Sequence, residues 1–179
     1  MAEIFMLNQF LEDIDFIRNK HGNQIRKFSY SPYYTHPITV ACLVMKYKKS
    51  HKIDELVKAA LGHDLLEDTD TSEEEVEARW GWQVLSLIQE LTTNEEEKNK
   101  VGKAEYLASK MSTMSSWGLV IKLCDRLHNV MDFVYASPNF VSKYTKETQY
   151  IIENLYQRRE LSDTHIKIIE TIKKYINIC

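Results

Sequence analysis

The stretch Leu61-Gly62-His63-Asp64-Leu65-Leu66-Glu67-Asp68-Thr69 decides how this chain is read. An adjacent His and Asp stand one helical turn before an adjacent Glu and Asp. Residues four apart on an α-helix share a face, so the spacing predicts His63 beside Glu67 and Asp64 beside Asp68. Leu65 and Leu66 point to another surface. Val57, Ala60 and Leu61 extend that apolar side upstream, on a helix expected to begin around Asp54. A greasy stripe thus lies beside one carrying an imidazole and three carboxylates. Like charges at this spacing repel, and a bound cation is the simplest thing that holds them together. A solvated acidic face is the bland alternative for this window; the window itself already leans toward a cation, and residues elsewhere strengthen that reading.

The chain around it has 179 residues, enough for one well-packed domain and short for two. With no internal repeat, residues 1–179 are expected to form a single domain. Five Gly and three Pro, among many Leu, Ile, Glu and Lys, favour an all-α helical bundle. The net charge of −3 gives no reason to expect nucleic acid or an acidic lipid surface as a partner. No apolar run approaches the roughly 20 residues that span a bilayer. The start, Met1-Ala2-Glu3, lacks the basic residues and apolar core of a secretory signal. Cys42, Cys124 and Cys179 are scattered and odd in number, which argues against a disulfide framework. A cytoplasmic, reduced protein is expected, with Cys124 a small core residue.

Helices are expected over 3–20 (Ile4, Phe5, Leu7, Leu11, Ile14, Ile17 inward), from His36-Pro37 onward, and from Asp54 through the opening window. His21-Gly22-Asn23 closes the first. Thr71-Ser72-Glu73-Glu74 reads as a capping box with Thr71 as the cap, on a helix ending at Gly81. Val84, Leu85, Leu87, Ile88 and Leu91 mark another, and Tyr106, Leu107 and Met111 one more. The charged segment 93–102 is expected to be a mobile loop. A central buried helix is predicted over 118–134, and two closing helices over roughly 142–161 and 163–177, after a break at Ser137-Pro138-Asn139.

Asp125 is a telling position, because it interrupts the apolar run Ile121-Lys122-Leu123-Cys124-Asp125-Arg126-Leu127-His128-Asn129. Charged residues are seldom buried unless paired or bound to metal; a salt bridge is the structural alternative. Together His36, His63, Asp64 and Asp125 offer two imidazoles and two carboxylates from three helices. Such a set suits a divalent ion, with Mn²⁺, Fe²⁺ or Zn²⁺ fitting mixed nitrogen and oxygen donors better than Mg²⁺. A bound cation acidifies water enough to give hydroxide near neutral pH. Glu67 and Asp68 are placed to orient or deprotonate that water, and Arg26, Lys27, Lys122 and Arg126 are available for phosphate oxygens.

The spacing of His36, His63-Asp64 and Asp125 resembles the HD superfamily of metal-dependent phosphohydrolases. More narrowly, Tyr34-Thr35-His36-Pro37, His63 to Thr69 and Ile121 to Asn129 are similar to the hydrolase domain of the RelA/SpoT alarmone enzymes, and equally to the small stand-alone alarmone hydrolases of metazoa. The match runs from about Arg26 to Leu155, and on this reading the synthetase and regulatory domains of the long enzymes are not expected within these 179 residues. The resemblance implies an HD-type all-α fold in which His36, His63, Asp64 and Asp125 bind Mn²⁺ and Glu67 and Asp68 serve catalysis. It also assigns substrate contacts to Arg26, Lys27, Asn129 and Thr148. The implied substrate is a small-molecule nucleotide, guanosine 3′,5′-bis(diphosphate), cleaved at the 3′ position to GDP or GTP and pyrophosphate. Two departures bear on base and ribose recognition. The loop between Lys27 and His36 is a residue shorter than in the animal relatives. Where the bacterial enzymes carry a Tyr after the Glu-Thr pair, this chain has Ile152, with Tyr150 nearby.

Two other readings use the same residues: an HD phosphatase acting on deoxynucleotides or on the 2′-phosphate of NADPH, and a nucleotide-binding regulator without turnover. The Glu67-Asp68 pair speaks against the regulator, since a binder needs no water-activating group. The sequence leaves the oligomeric state open. Imidazole ligation carries a pH signature, because a protonated ring cannot bind metal. Activity is expected to fall as pH drops through the imidazole range of about 6 to 7, and a rate that stays level well below that range in a pH–rate profile would contradict His ligation.

Overall fold

A computed structural model describes the backbone of residues 2–178 and the side chains of residues 8–176. Ile4, Phe5 and Leu7, placed on the inner face of the first helix, and Cys179 have side chains outside the described residues. The architecture is all-α, with no strand among the described residues beyond an isolated antiparallel bridge between Ile25 and Pro32. The chain forms two compact units, Met1–Thr92 and Thr93–Cys179.

In the first unit, α1 (Ala2–His21) ends at Gly22, whose positive φ of 52° turns the chain and whose N–H donates to the Arg18 carbonyl at 2.9 Å. Ile17 is fully buried, as its period requires, but Leu11 is exposed and Asp13 is buried in its place. The carboxylate is matched: Arg79 and the Trp80 indole N–H both donate to Asp13 Oδ1, at 3.0 and 2.8 Å. A hairpin-like segment leads to α2 (Thr35–Tyr47), followed by α3 (Ile53–Leu61) packed against it. Next come the short α4 (Leu65–Asp68), α5 (Glu73–Trp80) and α6 (Trp82–Leu91). Val40, Val44, Leu56, Leu61, Leu65, Val76 and Ile88 are all fully buried.

The decisive window departs from its expected form here. His63 and Asp64 do not ride on a continuous helix: α3 stops at Leu61, Gly62–Asp64 form a turn, and α4 begins at Leu65. The glycine at this stop sits in a close approach. A Cβ on Gly62 would sit 2.6 Å from Trp80 Cζ3 and 2.7 Å from Ile88 Cδ1, so only glycine lets the end of α3 pack this tightly. The cap of α5 also moves by a residue, to Ser72, whose hydroxyl accepts from the Glu75 N–H at 3.3 Å. Thr71 instead hydrogen-bonds Thr69 side chain to side chain at 2.7 Å.

In the second unit, residues 95–101 are helical rather than a mobile loop. This α7 (Glu95–Val101) is capped by Asn94, which accepts from the Glu97 N–H at 3.1 Å. Glu95, Glu96 and Glu97 lie in its first turn and Lys98 and Lys100 in its last, the order its dipole favours. α8 (Lys103–Thr113), α9 (Ser116–Met131), α10 (Pro138–Arg158) and α11 (Asp163–Ile178) follow. The predicted central helix closes with a 3-10 turn at Asp132–Tyr135, and the expected break spans only Ala136 and Ser137, so that α10 begins at Pro138 rather than near 142, with Ser137 as cap and proline in the first turn. α8 packs on α10 and α9 on α11. Leu119, Ile121, Leu123, Leu127, Ile151, Leu155 and Ile168 are buried, as is Cys124, whose thiol is driven well above its usual range by burial. No helix among the described residues is long and apolar enough to cross a membrane.

Replacing Gly62 with Ala forces Trp80 or Ile88 to move within a packed core. The expected outcome is a loss of about 1–3 kcal/mol, read as a lower urea midpoint at unchanged slope; a midpoint equal to wild type would show that the close approach carries no weight.

Candidate metal centre

The first unit brings His36, His63 and Asp64 together. His36 stands in the first turn of α2, its N–H donating to the Tyr33 carbonyl at 2.8 Å, and its ring is buried. His63, in the turn that Gly62 creates, is also buried, and the two rings lie edge to face with centroids 5.1 Å apart. Asp64 Oδ2 is 3.0 Å from His63 Nε2 and 3.6 Å from His36 Nε2.

The tautomer of His63 is fixed by its neighbour. Nδ1 lies 2.7 Å from the Ala60 carbonyl oxygen, which can only accept, so Nδ1 carries the hydrogen. In a neutral ring the Nε2 lone pair then faces Asp64 at 3.0 Å, lone pair against carboxylate. A cation between them, a proton or a metal ion, removes that repulsion. A ring whose second nitrogen donates to a backbone carbonyl is also the usual arrangement of a metal-bound histidine. The donor set therefore fits a divalent ion.

Asp68 keeps its predicted neighbourhood with Asp64, because Asp64 caps α4 and its carbonyl accepts from the Asp68 N–H at 2.9 Å. Both carboxylates reach one hydroxyl, that of Tyr33, at 2.8 Å from Asp64 Oδ2 and 3.2 Å from Asp68 Oδ2. Partial burial, and then the charge of Asp64, hold the Asp68 carboxyl above the ordinary carboxylate range, against the lowering effect of the Tyr33 hydroxyl. Glu67 is exposed on the same short helix. Because the helix restarts at Leu65, Glu67 and His63 do not share a continuous helical face; the Glu67 N–H bonds instead to the Asp64 carbonyl at 3.2 Å.

Arg26 and Lys27 lie in the segment before α2. The Arg26 guanidinium sits 6.0 Å over the Tyr33 ring, half-buried, while Lys27 is exposed above Phe28. Tyr33, His21 and Gln24 were not among the residues expected here. Their role is visible only once the segment folds back: Gln24 donates to the Asp68 carbonyl at 2.6 Å and bonds His21 Nδ1 at 2.9 Å. No periodicity or spacing marks them in the sequence.

In the second unit, Asp125 is half-buried on α9, paired with Lys122 at 3.2 Å and accepting from Asn129 Nδ2 at 2.7 Å. Lys122 and Asn129 thus flank Asp125 on one seam. Arg126, expected to be available for phosphate, is buried and committed elsewhere. It reaches Glu147 Oε1 at 3.0 Å and the Thr148 hydroxyl at 2.8 Å, with its guanidinium 4.8 Å from the Tyr144 ring centroid. Thr148 is itself fully buried and donates to the Tyr144 carbonyl at 2.7 Å.

Comparison with known proteins gives a consistent neighbourhood. Residues 14–161 match the HD domain family. The chain is 36% identical over 153 residues to the guanosine-3′,5′-bis(diphosphate) 3′-pyrophosphohydrolase of Aquifex aeolicus, covering 80% of this chain but only 20% of that protein. It is 34% identical over 137 residues to the mouse guanosine-3′,5′-bis(diphosphate) 3′-pyrophosphohydrolase MESH1, covering 76% of this chain and 75% of that one. Among solved structures it is similar to a metazoan orthologue of SpoT described as hydrolysing ppGpp and playing a role in starvation responses. The TM-score is 0.75 at 26% identity, over 93% of this chain and 94% of the other.

The ion pairs of the second unit differ in what else the cation holds. Arg126→Met removes a guanidinium that binds both Glu147 and the Thr148 hydroxyl, leaves Glu147 with Lys103 at 3.5 Å and is expected to cost about 3 kcal/mol, whereas Lys122→Met takes one contact from Asp125, which keeps Asn129, and is expected to cost less. Urea denaturation of the two variants separates them; equal losses would mean that Arg126 is not the structural member of the pair.

Proposed function

Because the chain belongs to the HD-domain family, and within it to the group formed by MESH1 and the SpoT/RelA hydrolase domains, we propose that it hydrolyses guanosine 3′,5′-bis(diphosphate) and its 5′-triphosphate analogue. Pyrophosphate leaves from the 3′ position, and GDP or GTP remains. The observation that carries this reading is the meeting of two buried imidazoles with the Asp64 carboxylate, at 3.0 and 3.6 Å, beside the Glu67-Asp68 pair.

His36, His63 and Asp64 would hold a divalent ion, and Asp125, matched by the sequence resemblance, is proposed as a further ligand. Mn²⁺ is the proposed ion, supported by a donor set of imidazoles with carboxylates. When bound, it supplies Lewis acidity that acidifies water and draws charge from a phosphoryl oxygen. Water adds to the phosphorus bonded to the ribose 3′ oxygen, that P–O bond breaks, and the 3′ oxygen regains a proton. Glu67 and Asp68 are assigned the proton handling. Arg26, Lys27 and Lys122 are assigned the phosphate oxygens and Asn129 the nucleoside side, while Thr148, fully buried with its hydroxyl held between Arg126 and the Tyr144 carbonyl, would act only through Arg126. The family match spans residues 14–161, which supports treating both units as one catalytic domain. A cytoplasmic, reduced location is proposed from the scattered, odd set of cysteines.

A product assay with added manganese tests the reading. Pyrophosphate and GDP in equal amounts from guanosine 3′,5′-bis(diphosphate) are expected, and orthophosphate released from a deoxynucleotide or from NADPH instead would replace the proposed substrate. Glu67→Gln is expected to lower kcat by at least about 100-fold while Mn²⁺ still binds by calorimetry; retained turnover would remove Glu67 from its role.

A further inference from the structure

One hydroxyl lies between the ligand carboxylate and the proton-handling carboxylate. Tyr33 Oη is 2.8 Å from Asp64 Oδ2 and 3.2 Å from Asp68 Oδ2, although these residues lie 31 and 35 positions further along the chain. The ring itself is held from several sides. His21 lies against it at a centroid distance of 4.9 Å, His36 meets it edge to face at 5.7 Å, and the Arg26 guanidinium sits 6.0 Å over it. Its backbone is equally constrained: the Tyr33 N–H donates to the Gln24 carbonyl at 2.8 Å, and the Tyr33 carbonyl accepts from the His36 N–H at 2.8 Å. Gln24 in turn donates to the Asp68 carbonyl at 2.6 Å. The same short segment therefore grips the start of α2, the carboxylates of Asp64 and Asp68, and the end of α4.

A tyrosine hydroxyl has a single proton to give. Placed between two carboxylates it relieves their mutual repulsion and restricts the rotation of both side chains. Carboxylate ligands are commonly held by such outer hydrogen bonds, and losing one usually weakens metal binding or activity. Asp64 is a short side chain at the cap of a four-residue helix, where the orientation of its oxygens depends on whatever holds the carboxylate.

We propose that Tyr33 is the positioning residue of this site: its hydroxyl aims the Asp64 carboxylate at the two imidazoles and keeps Asp68 in register with it. The proposal rests on the hydrolase reading for its catalytic half, and on the His36–His63–Asp64 geometry alone for its metal half. Tyr33 touches neither water nor substrate in this role; it acts through the two carboxylates.

Tyr33→Phe keeps the ring contacts and removes only the hydroxyl. Three measurements are made on the full chain: Mn²⁺ titration by calorimetry without substrate, helical circular dichroism through a urea titration, and kcat and KM for guanosine 3′,5′-bis(diphosphate) at saturating Mn²⁺. The expected result is Mn²⁺ affinity weakened about 10- to 100-fold and kcat lowered by a similar factor, with KM within about threefold of wild type and helicity retained. Affinity and kcat both within about twofold of wild type would overturn the proposal. So would loss of the helical signal, because the hydroxyl would then be serving the fold. If wild-type protein binds Mn²⁺ but leaves the nucleotide intact, the hydrolase reading fails while the metal titration still decides the part of Tyr33. If wild type turns over and Tyr33→Phe matches it, only the present inference falls.

Discussion

The hydrogen bond between His63 Nδ1 and the Ala60 carbonyl, 2.7 Å long, is the constraint on which the site depends. It sets which nitrogen carries hydrogen, and so turns Nε2 toward Asp64 as a lone-pair donor. The carbonyl belongs to the last turn of α3 (Ile53–Leu61), one of the acceptors a helix leaves without an intrahelical partner. Ending the helix at Leu61 and bending the chain at Gly62 is what lets the ring fold back onto that carbonyl. A helix continued through His63 would need the Ala60 carbonyl for the N–H of Asp64 and would carry the imidazole outward with the rest of its face. The break is thus part of the chemistry, and at it Gly62 leaves room for Trp80 and Ile88 to pack against the end of α3.

Much of this was legible in the sequence because it depends on composition and period. The all-α class, the order of helices and the buried face of α9 follow from apolar residues repeating at helical spacing, and Leu119, Ile121, Leu123 and Leu127 are buried accordingly. The pairing of Asp64 with Asp68 was also legible, since a single turn suffices for it. What the pattern could not carry was the stop at Gly62. The apolar period continues through Leu65, a lone glycine inside such a run is often tolerated, and the side chains that require glycine here, Trp80 and Ile88, lie 18 and 26 residues downstream.

The misread segment 93–102 failed for the opposite reason. It has no apolar period to find, and α7 (Glu95–Val101) buries no residue. Its signals are local: an Asn cap, three glutamates in the first turn and lysines in the last. A tertiary bond adds to them, the Asn94 N–H donating to the Tyr106 hydroxyl at 2.7 Å. Charge density is blind to the order of the charges, and the order holds the information. Leu11 and Asp13 make the same point from the side of burial. The period places Leu11 inside, but Arg79 and the Trp80 indole supply enough hydrogen bonds for Asp13 to take the interior.

The carboxylates assigned to catalysis stand on an element that could not exist by itself. Four residues are too few to nucleate a helix in water, so α4 (Leu65–Asp68) is held by what surrounds it. Leu65 is fully buried, Thr69 Oγ1 donates back to the Leu65 carbonyl at 2.6 Å, and Gln24 holds the Asp68 carbonyl from a segment 44 residues away. The geometry of Asp68 is consequently a property of the hairpin-like segment as much as of its own helix. Arg26 and Lys27, assigned to the phosphates, lie on that same segment, and Tyr30 within it accepts a left-handed backbone at φ 56° to close the turn. A nucleotide held by Arg26 and Lys27, as proposed above, would bear directly on the segment that also holds the Asp64 and Asp68 carboxylates.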